Sequence, residues 1–384
     1  MYLKNLHLRS FRNYVDQQVT FSAQKTILVG NNAQGKSNLL EAVELLATLK
    51  SHRANRDREL VREGAATGQI EAILERAYGV TELGLTLRKQ GRRTAVLNKE
   101  ALRRQLDFLG TLNAVQFSSL DLELVRGTPE CRRNWIDALL IQLEPVYAHM
   151  LHQYERVLRQ RNALLKAIRQ QQEEQLETSS NVPDASQLQL WDEQLAAAGS
   201  RVTRRRARVL ARLAPIARAW HATISKQTEV LEIKYVPNID WTEDEPEKVQ
   251  QAFRAKIERR RLAERHQGKT VVGPHRDEIE FTIDQTPARY YGSQGQQRTL
   301  VLALKLAELK LIEEVVGEPP LLLLDDVLAE LDPNRQNQLL NAIGDRFQTL
   351  ITTTHIGSFD AQWLKDSQIL TVEAGKIREL QIND

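Results

Sequence analysis

Residues 30–37 read Gly30-Asn31-Asn32-Ala33-Gln34-Gly35-Lys36-Ser37, and this stretch decides the fold. Two glycines separated by four residues, followed by Lys and Ser, are the pattern of a phosphate-binding loop. On one side lies Thr26-Ile27-Leu28-Val29, a short run suited to a buried strand. On the other, Leu39, Leu40, Val43 and Leu46 recur at helical spacing. Strand, loop and helix in this order wrap backbone N–H groups and the positive end of a helix around a phosphate. All eight residues are therefore expected to hold ATP. Lys36 would neutralise the β- and γ-phosphates and Ser37 would ligate Mg2+.

A second stretch answers the first. Leu321-Leu322-Leu323-Leu324-Asp325-Asp326 is an apolar strand ending in two carboxylates. A parallel sheet delivers such a strand end to its ligand at the carboxyl edge. Asp325 is expected to hold Mg2+ through water, and Asp326 to orient or deprotonate the attacking water. Ser37 and Asp325 are 325 − 37 = 288 positions apart, yet both must meet one magnesium ion. The chain must leave the nucleotide domain, build something else and return.

Composition limits the alternatives. The 384 residues include 53 Lys+Arg against 50 Asp+Glu, a formal charge of +3, and 41% are hydrophobic. That is enough for a core and argues against wholesale disorder. One cysteine, Cys131, excludes an intrachain disulfide framework and a cysteine zinc cluster. No apolar run approaches the roughly 18–20 residues of a membrane span, and the N-terminus carries no apolar signal core. The expectation is a cytoplasmic protein without a membrane partner. His149 and His152 stand at i, i+3 without a completing carboxylate and read as structural or surface residues.

The pattern of the chain places the excursion at 128–267, between a first head segment, 1–127, and a second, 268–384. In the first, Leu83, Leu85 and Leu87 alternate as a half-buried strand, and 94–97 reads as its return. From Ile136 to Ile168 apolar residues recur at spacings of three and four, with Pro145 kinking or dividing the helix. A polar connector covers 170–187. A second stripe runs from Leu188 to Trp220, and a third helical segment covers 246–266. Two long antiparallel helices around a polar tip form an αα-hairpin arm. After 268, Ile279, Phe281 and Ile283 alternate, 296–316 and 334–344 read as helices, and 349–353 as a buried strand. The tail 368–382 reads as a hairpin turning at Ala374-Gly375-Lys376.

Residues 291–298, Tyr291-Gly292-Ser293-Gln294-Gly295-Gln296-Gln297-Arg298, precede a helix. They resemble the Ser-x-Gly-Gln signature of ABC-type ATPases, which assigns Ser293, Gly295 and Gln296 to the nucleotide. Glu330-Leu331-Asp332 resembles the D-loop of those enzymes. His355, after the strand 349–353, resembles their switch histidine. Gln116 lies where their Q-loop glutamine contacts the metal and the water. The opening Leu8-Arg9-Ser10-Phe11-Arg12-Asn13-Tyr14 resembles the start of the DNA-repair branch, which assigns Arg12 and Asn13 to the nucleotide. Ser51-His52-Arg53, Asp121 to Gly127, Arg132-Arg133 and Val272 to Asp277 resemble that branch as well. Over nearly its full length the chain is similar to the RecF family of recombination-mediator ATPases.

This resemblance implies an α/β, SMC-like ABC ATPase head with an inserted helical arm, and an ATP-dependent homodimer. It also implies DNA binding at duplex, gapped or junction sites, and work with RecR and RecO. Two departures matter. The signature lacks the preceding leucine and the double glycine of transporters. The second carboxylate is Asp326, one methylene shorter than the glutamate of transporters, so slow, DNA-stimulated hydrolysis is expected.

The arm supplies a candidate DNA surface. Residues 201–227 hold Arg201, Arg204, Arg205, Arg206, Arg208, Arg212, Arg218 and Lys226 with no Asp or Glu. Clustered cations release counterions from a nucleic-acid backbone, a source of affinity that carries no sequence information. Arg201, Arg204, Arg205, Arg206, Arg208 and Arg212 are the expected DNA contacts. Two other readings compete. The nucleotide subunit of a transporter leaves the basic helical insertion unexplained. A purely architectural SMC-like clamp needs a longer arm and sustained heptads.

Overall fold

The strand Lys25–Val29, which feeds the phosphate loop, lies inside a six-stranded sheet of the computed structural model. The structure describes residues 1–54, 56–174, 185–359 and 361–380. The sheet order is Lys376–Glu379, Ser367–Glu373, Lys25–Val29, Thr349–Thr353, Leu321–Asp325, Ala114–Ser118. All neighbours are parallel except the edge hairpin. The strands are nearly continuous apolar runs because both faces are covered. In register, Asp325 stands opposite Ser118 on one side and Thr352 on the other, and Thr353 opposite Val29. One sheet edge therefore collects the ends of the loop strand, the acidic strand and the strand bearing Gln116.

A second six-stranded sheet is antiparallel throughout. Its order is Tyr14–Thr20, Tyr2–Phe11, Thr67–Arg76, Gly79–Arg88, Thr94–Leu97, Glu100–Ala101. The helix Lys36–Thr48 buries Leu39, Leu40, Val43, Leu45 and Leu46. They join one hydrophobic core with Leu6, Leu8 and Leu85 of the antiparallel sheet and Leu321, Leu323 and Leu350 of the parallel one. Burying each such side chain contributes about 1.5–3 kcal/mol, so the loop-bearing helix is held from both sides.

The chain divides into two compact units, 1–125 with 216–231 and 292–384, and 126–215 with 232–291. This corrects the expected boundaries in two places. Residues 268–291 group with the helical insertion, and 216–231, the last turns of the second arm helix and the segment after it, with the head. The reason for the first lies in long-range partners. Arg132 forms a two-toothed ion pair with Glu278, Trp135 meets Phe281 edge-on, and Arg206 reaches Asp277.

The insertion holds helices Pro129–Leu143, Val146–Glu174 and Pro246–Gln267, most of Ala185–Ile224, and a small three-stranded sheet. Pro145 divides the first stripe, since one helix stops at Leu143 and the next starts at Val146. Within the expected connector, 175–184 lies outside the described residues. Arg161 is fully buried between Asp192 and Glu264 and also donates to Thr270. Among the described residues no helix is long and apolar enough to cross a membrane.

His275 gives the insertion a pH limit. Burial pushes its pKa down to about 4, and Arg276, Arg133 and Arg206 act the same way. The Tyr154 hydroxyl stands 2.6 Å from Nδ1, while Nε2 stands 3.1 Å from the Thr270 carbonyl. The neutral tautomer protonated on Nε2 satisfies both contacts. A folded pKa below the unfolded value means stability present above about pH 6.5 and lost as pH falls towards 4, on the order of 3 kcal/mol. Thermal unfolding of the insertion is expected to weaken steeply over that window and to flatten in His275→Gln. An equal pH dependence in the two proteins would contradict this assignment.

Candidate nucleotide site

The loop is shaped by its neighbours before any ligand arrives. Gly35 has φ +120°, and a Cβ there would stand 2.7 Å from the Asn13 amide. A Cβ on Gly30 would stand 2.3 Å from the Val372 carbonyl oxygen. Only glycine fits at either position. The Asn13 amide donates to the Gln34 carbonyl at 2.8 Å and accepts from Asn38 at 2.8 Å. Tyr14 donates its hydroxyl to the Gly35 carbonyl at 2.9 Å. The tail hairpin turn grips the loop as well, with Gly375 N donating to the Gln34 carbonyl and Ala374 N to its side chain. Ala33 adopts φ +63°, and Gln34 donates weakly to the Asn32 carbonyl. The Lys36 ammonium turns back onto the carbonyls of Gly30 and Asn31 at 2.8 and 3.1 Å. It is thereby held over the loop where phosphate oxygens would replace those carbonyls.

The two distant motifs meet. Ser37 Oγ donates to Asp325 Oδ1 at 2.7 Å. Thr352 Oγ1 donates to the same oxygen at 2.8 Å and accepts from Asp326 N at 2.9 Å. Asp326 takes a left-handed backbone, φ +53°, which Asp tolerates better than most residues. Burial raises its carboxyl pKa; Lys36 works against that shift and Asp325 adds to it. The side-chain amide oxygen of Gln116, Oε1, is buried and has no hydrogen-bond partner among the described residues. A hydroxyl, a carboxylate and a spare amide oxygen form the oxygen set that Mg2+ takes alongside water. Those three residues fit the ion.

Not every expected residue reaches this point. The Arg12 guanidinium is spent on Glu41, at 2.8 and 2.6 Å, and on the Glu59 carbonyl. The structure therefore brings Asn13, and not the Arg12 side chain, to the loop. His355 follows its strand with an exposed ring that makes no hydrogen bond among the described residues. Ser293 caps the helix Gln294–Val316 in a reciprocal box with Gln296, at 2.8 and 3.2 Å, and Gln296 also donates to Glu229. Among the described residues no hydrogen bond joins Ser293, Gly295 or Gln296 to residues 30–37. The signature is preformed, with Ser293 and Gln294 exposed, and it is not hydrogen-bonded to this chain's own phosphate loop.

Several contributors went unassigned in the sequence. Arg335 donates to Thr299 Oγ1 at 2.8 Å and to the Gly295 carbonyl at 3.0 Å, and pairs with Asp332. It ties the D-loop segment to the first turn of the signature helix. His52 stands between Glu44, 2.6 Å from Nδ1, and the Gln116 amide, 3.5 Å from Nε2. Burial works against its charged form, but Glu44 overrides that and raises its pKa. The Ser51-His52-Arg53 segment was visible in the sequence without a role.

Among the arm arginines, one departs from the expected role. Arg206 is buried, only 3% exposed, and locked to Asp137 at two points and to Asp277. It cannot contact a DNA backbone in this fold. Arg204 and Arg208 share Asp244, and Arg205 pairs with Glu144. Of the six, Arg201 and Arg212 remain exposed without a carboxylate partner among the described residues.

Comparison with known proteins gives the family and the fold. Residues 2–376 match the family model for the RecF/RecN/SMC N terminal domain. The DNA replication and repair protein RecF of Gloeothece citriformis is 74% identical over 383 residues, covering 99% of this chain and all of the relative. That of Rippkaea orientalis is 70% identical over 377 residues, covering 98% and 99%. Among solved structures, the recombination mediator protein RecF-ATP in the RecFOR pathway superposes with a TM-score of 0.88 at 31% identity, covering 99% of this chain and 98% of the other. The Smc head domain of Pyrococcus furiosus, at 16% identity and a TM-score of 0.55 over 99% and 96%, shares the fold.

Proposed function

The chain belongs to the RecF family of DNA replication and repair proteins, within the RecF/RecN/SMC group, and from that membership we propose that it is an ATP-driven DNA clamp whose hydrolytic site two copies complete together. The observation that carries the reading is the 2.7 Å contact between Ser37 and Asp325, with the unpartnered Gln116 oxygen at the same sheet edge. Residues 30–37 hold the triphosphate, and Ser37, Asp325 and Gln116 hold Mg2+, which neutralises the charge developing on the phosphates. Asp326 orients and deprotonates water. The exposed Ser293–Gln296 segment engages the phosphates of a second copy. The closed dimer holds duplex, gapped or junction DNA, hydrolyses ATP slowly with stimulation by DNA, and works with RecR and RecO.

The match to a RecF–ATP structure supports the nucleotide, and the relatives' names support the repair role. The transporter reading draws no support from these relatives. A direct test is Lys36→Ala. It removes a cation that the backbone cradle cannot replace, so ATP affinity is expected to fall about 10²-fold. Every ATP-dependent step should fall with it. Unchanged ATP-stimulated DNA binding would defeat the assignment.

A further inference from the structure

One run of sequence outside the arm is strongly one-sided in charge. Residues 88–104 contain seven Lys and Arg against one acid, Glu100. The antiparallel sheet gathers six of these seven cations at one end of its strands, while Lys99 lies at the other end, paired with Glu82. Strand Gly79–Arg88 ends there, and Thr94–Leu97 starts back from it. Ala101 then pairs with Val96, and Leu102 N donates to the Ala95 carbonyl, returning Arg103 and Arg104 to the same end. Glu100 pairs opposite Leu97, at the far end of that strand.

Arg93 is the hub. It forms a two-toothed pair with Asp57 and donates to the Leu49 carbonyl at 2.6 Å, drawing in the segment that bears Arg56 and Arg58. Gln105 closes the other side by donating to the Arg93 carbonyl. Arg93 and Asp57 are each only 18% exposed, so the central carboxylate is neutralised and turned inward. Arg88, Lys89, Arg92, Arg103 and Arg104 are exposed and have no carboxylate partner among the described residues. Glu59, Glu63 and Asp107 are the acids closest in sequence to these segments, and counting them leaves a clear positive excess.

We infer that this sheet edge, rather than the arm's paired arginines, is the main nucleic-acid surface of the chain, and that it grips the phosphate backbone. The inference rests on the reading that the chain binds DNA. The exposed side chains of the edge are cations without aromatic or large apolar neighbours, so they offer charge and no base stacking or membrane insertion. Binding is therefore sequence-independent. Arg53, four residues beyond the Leu49 carbonyl that Arg93 holds, begins a hydrogen-bonded path to the nucleotide loop. Arg53 donates to Asn38, Asn38 to Asn13, and Asn13 to Gln34.

The test uses full-length protein carrying Arg88→Glu, Lys89→Glu, Arg92→Glu, Arg103→Glu and Arg104→Glu, beside a variant with glutamine at the same five positions. A third protein carries Arg201→Glu and Arg212→Glu. Anisotropy with duplex and gapped DNA is read from 50 to 200 mM salt with ATP and Mg2+, and retained ATP binding reports folding. The edge reversal is expected to lose about 10²-fold or more in affinity and to flatten the log–log salt slope by about 3–5, the glutamine variant somewhat less. The arm variant should change little. Unaltered affinity and slope in both edge variants would overturn the inference. If the arm variant alone lost binding, the DNA reading would stand and this surface would fail. If the wild type bound anionic vesicles but not DNA, both would fail.

Discussion

Asp326→Asn will bind ATP as the wild type does and hydrolyse it about 10²–10⁴-fold more slowly, the usual contribution of a positioned general base. The carboxylate stands beside Asp325 but is not tied to Ser37, so replacing it leaves the Ser37–Asp325 contact of 2.7 Å intact. Its backbone N–H bond to Thr352 does not involve the side chain. Asparagine keeps the size and the left-handed backbone, which it tolerates at least as well as Asp. What is lost is the acceptor for the water's proton. With hydrolysis blocked, ATP stays in place, the dimer stays closed, and its DNA complex should outlive that of the wild type. Single-turnover hydrolysis and the DNA dissociation rate read the two halves separately. Fast turnover in Asp326→Asn would move the base elsewhere.

Ser293→Arg will do the reverse. ATP binding to one copy should survive, because Ser293 makes no hydrogen bond to residues 30–37. Dimerisation should weaken by about 10²-fold or more, roughly 3 kcal/mol, and hydrolysis should fall to background. The serine caps its helix in a reciprocal box with Gln296, so the N–H groups of the first turn are oriented before a phosphate arrives. Arg335 holds that turn to the D-loop segment, so in the proposed dimer both parts would meet the second copy together. A two-fold arrangement repeats the contact at both sites. A long cation at 293 breaks the cap, collides and misplaces charge at each of them.

The parts legible in the sequence were those with strict local demands. The phosphate loop needs glycine where Asn13 and Val372 leave no room, and the acidic strand needs a buried apolar run before its carboxylates. Strand Tyr2–Phe11 was harder to see, because the register shift between Leu3 and Asn5 breaks the alternation of Leu3, Leu6 and Leu8. Helix Ala185–Ile224 continues through Pro215. Ala211 and Pro215 are exposed, so the carbonyl freed by the missing N–H faces water.

Arg206 could have been flagged. It falls four residues after Val202 and three before Val209, on the buried stripe, where a charge must find a partner. Its partners, Asp137 and Asp277, lie 69 and 71 residues away, and no local pattern announces them. The same distance hides from the sequence the packing of 268–291 with the helical insertion. The basic edge at 88–104 was open to simple counting, but its convergence with the Asp57 segment depends on strand pairing.

The central claim is that each hydrolytic site takes its phosphate loop from one copy and its signature from another. Mixing Ser293→Arg with Asp326→Asn tests it most directly. Each is inactive alone. In a mixed dimer, the intact loop and Asp326 of the first face the intact Ser293 of the second, so one sound site forms. ATP hydrolysis should reappear on mixing, at no more than about a quarter of the wild-type rate, the value for free assortment, because Asp326→Asn dimers are the more stable, and should rise and fall with the mixing ratio. If the mixture stays as inactive as its components while both still bind ATP, the signature does not act across copies, and the account is wrong.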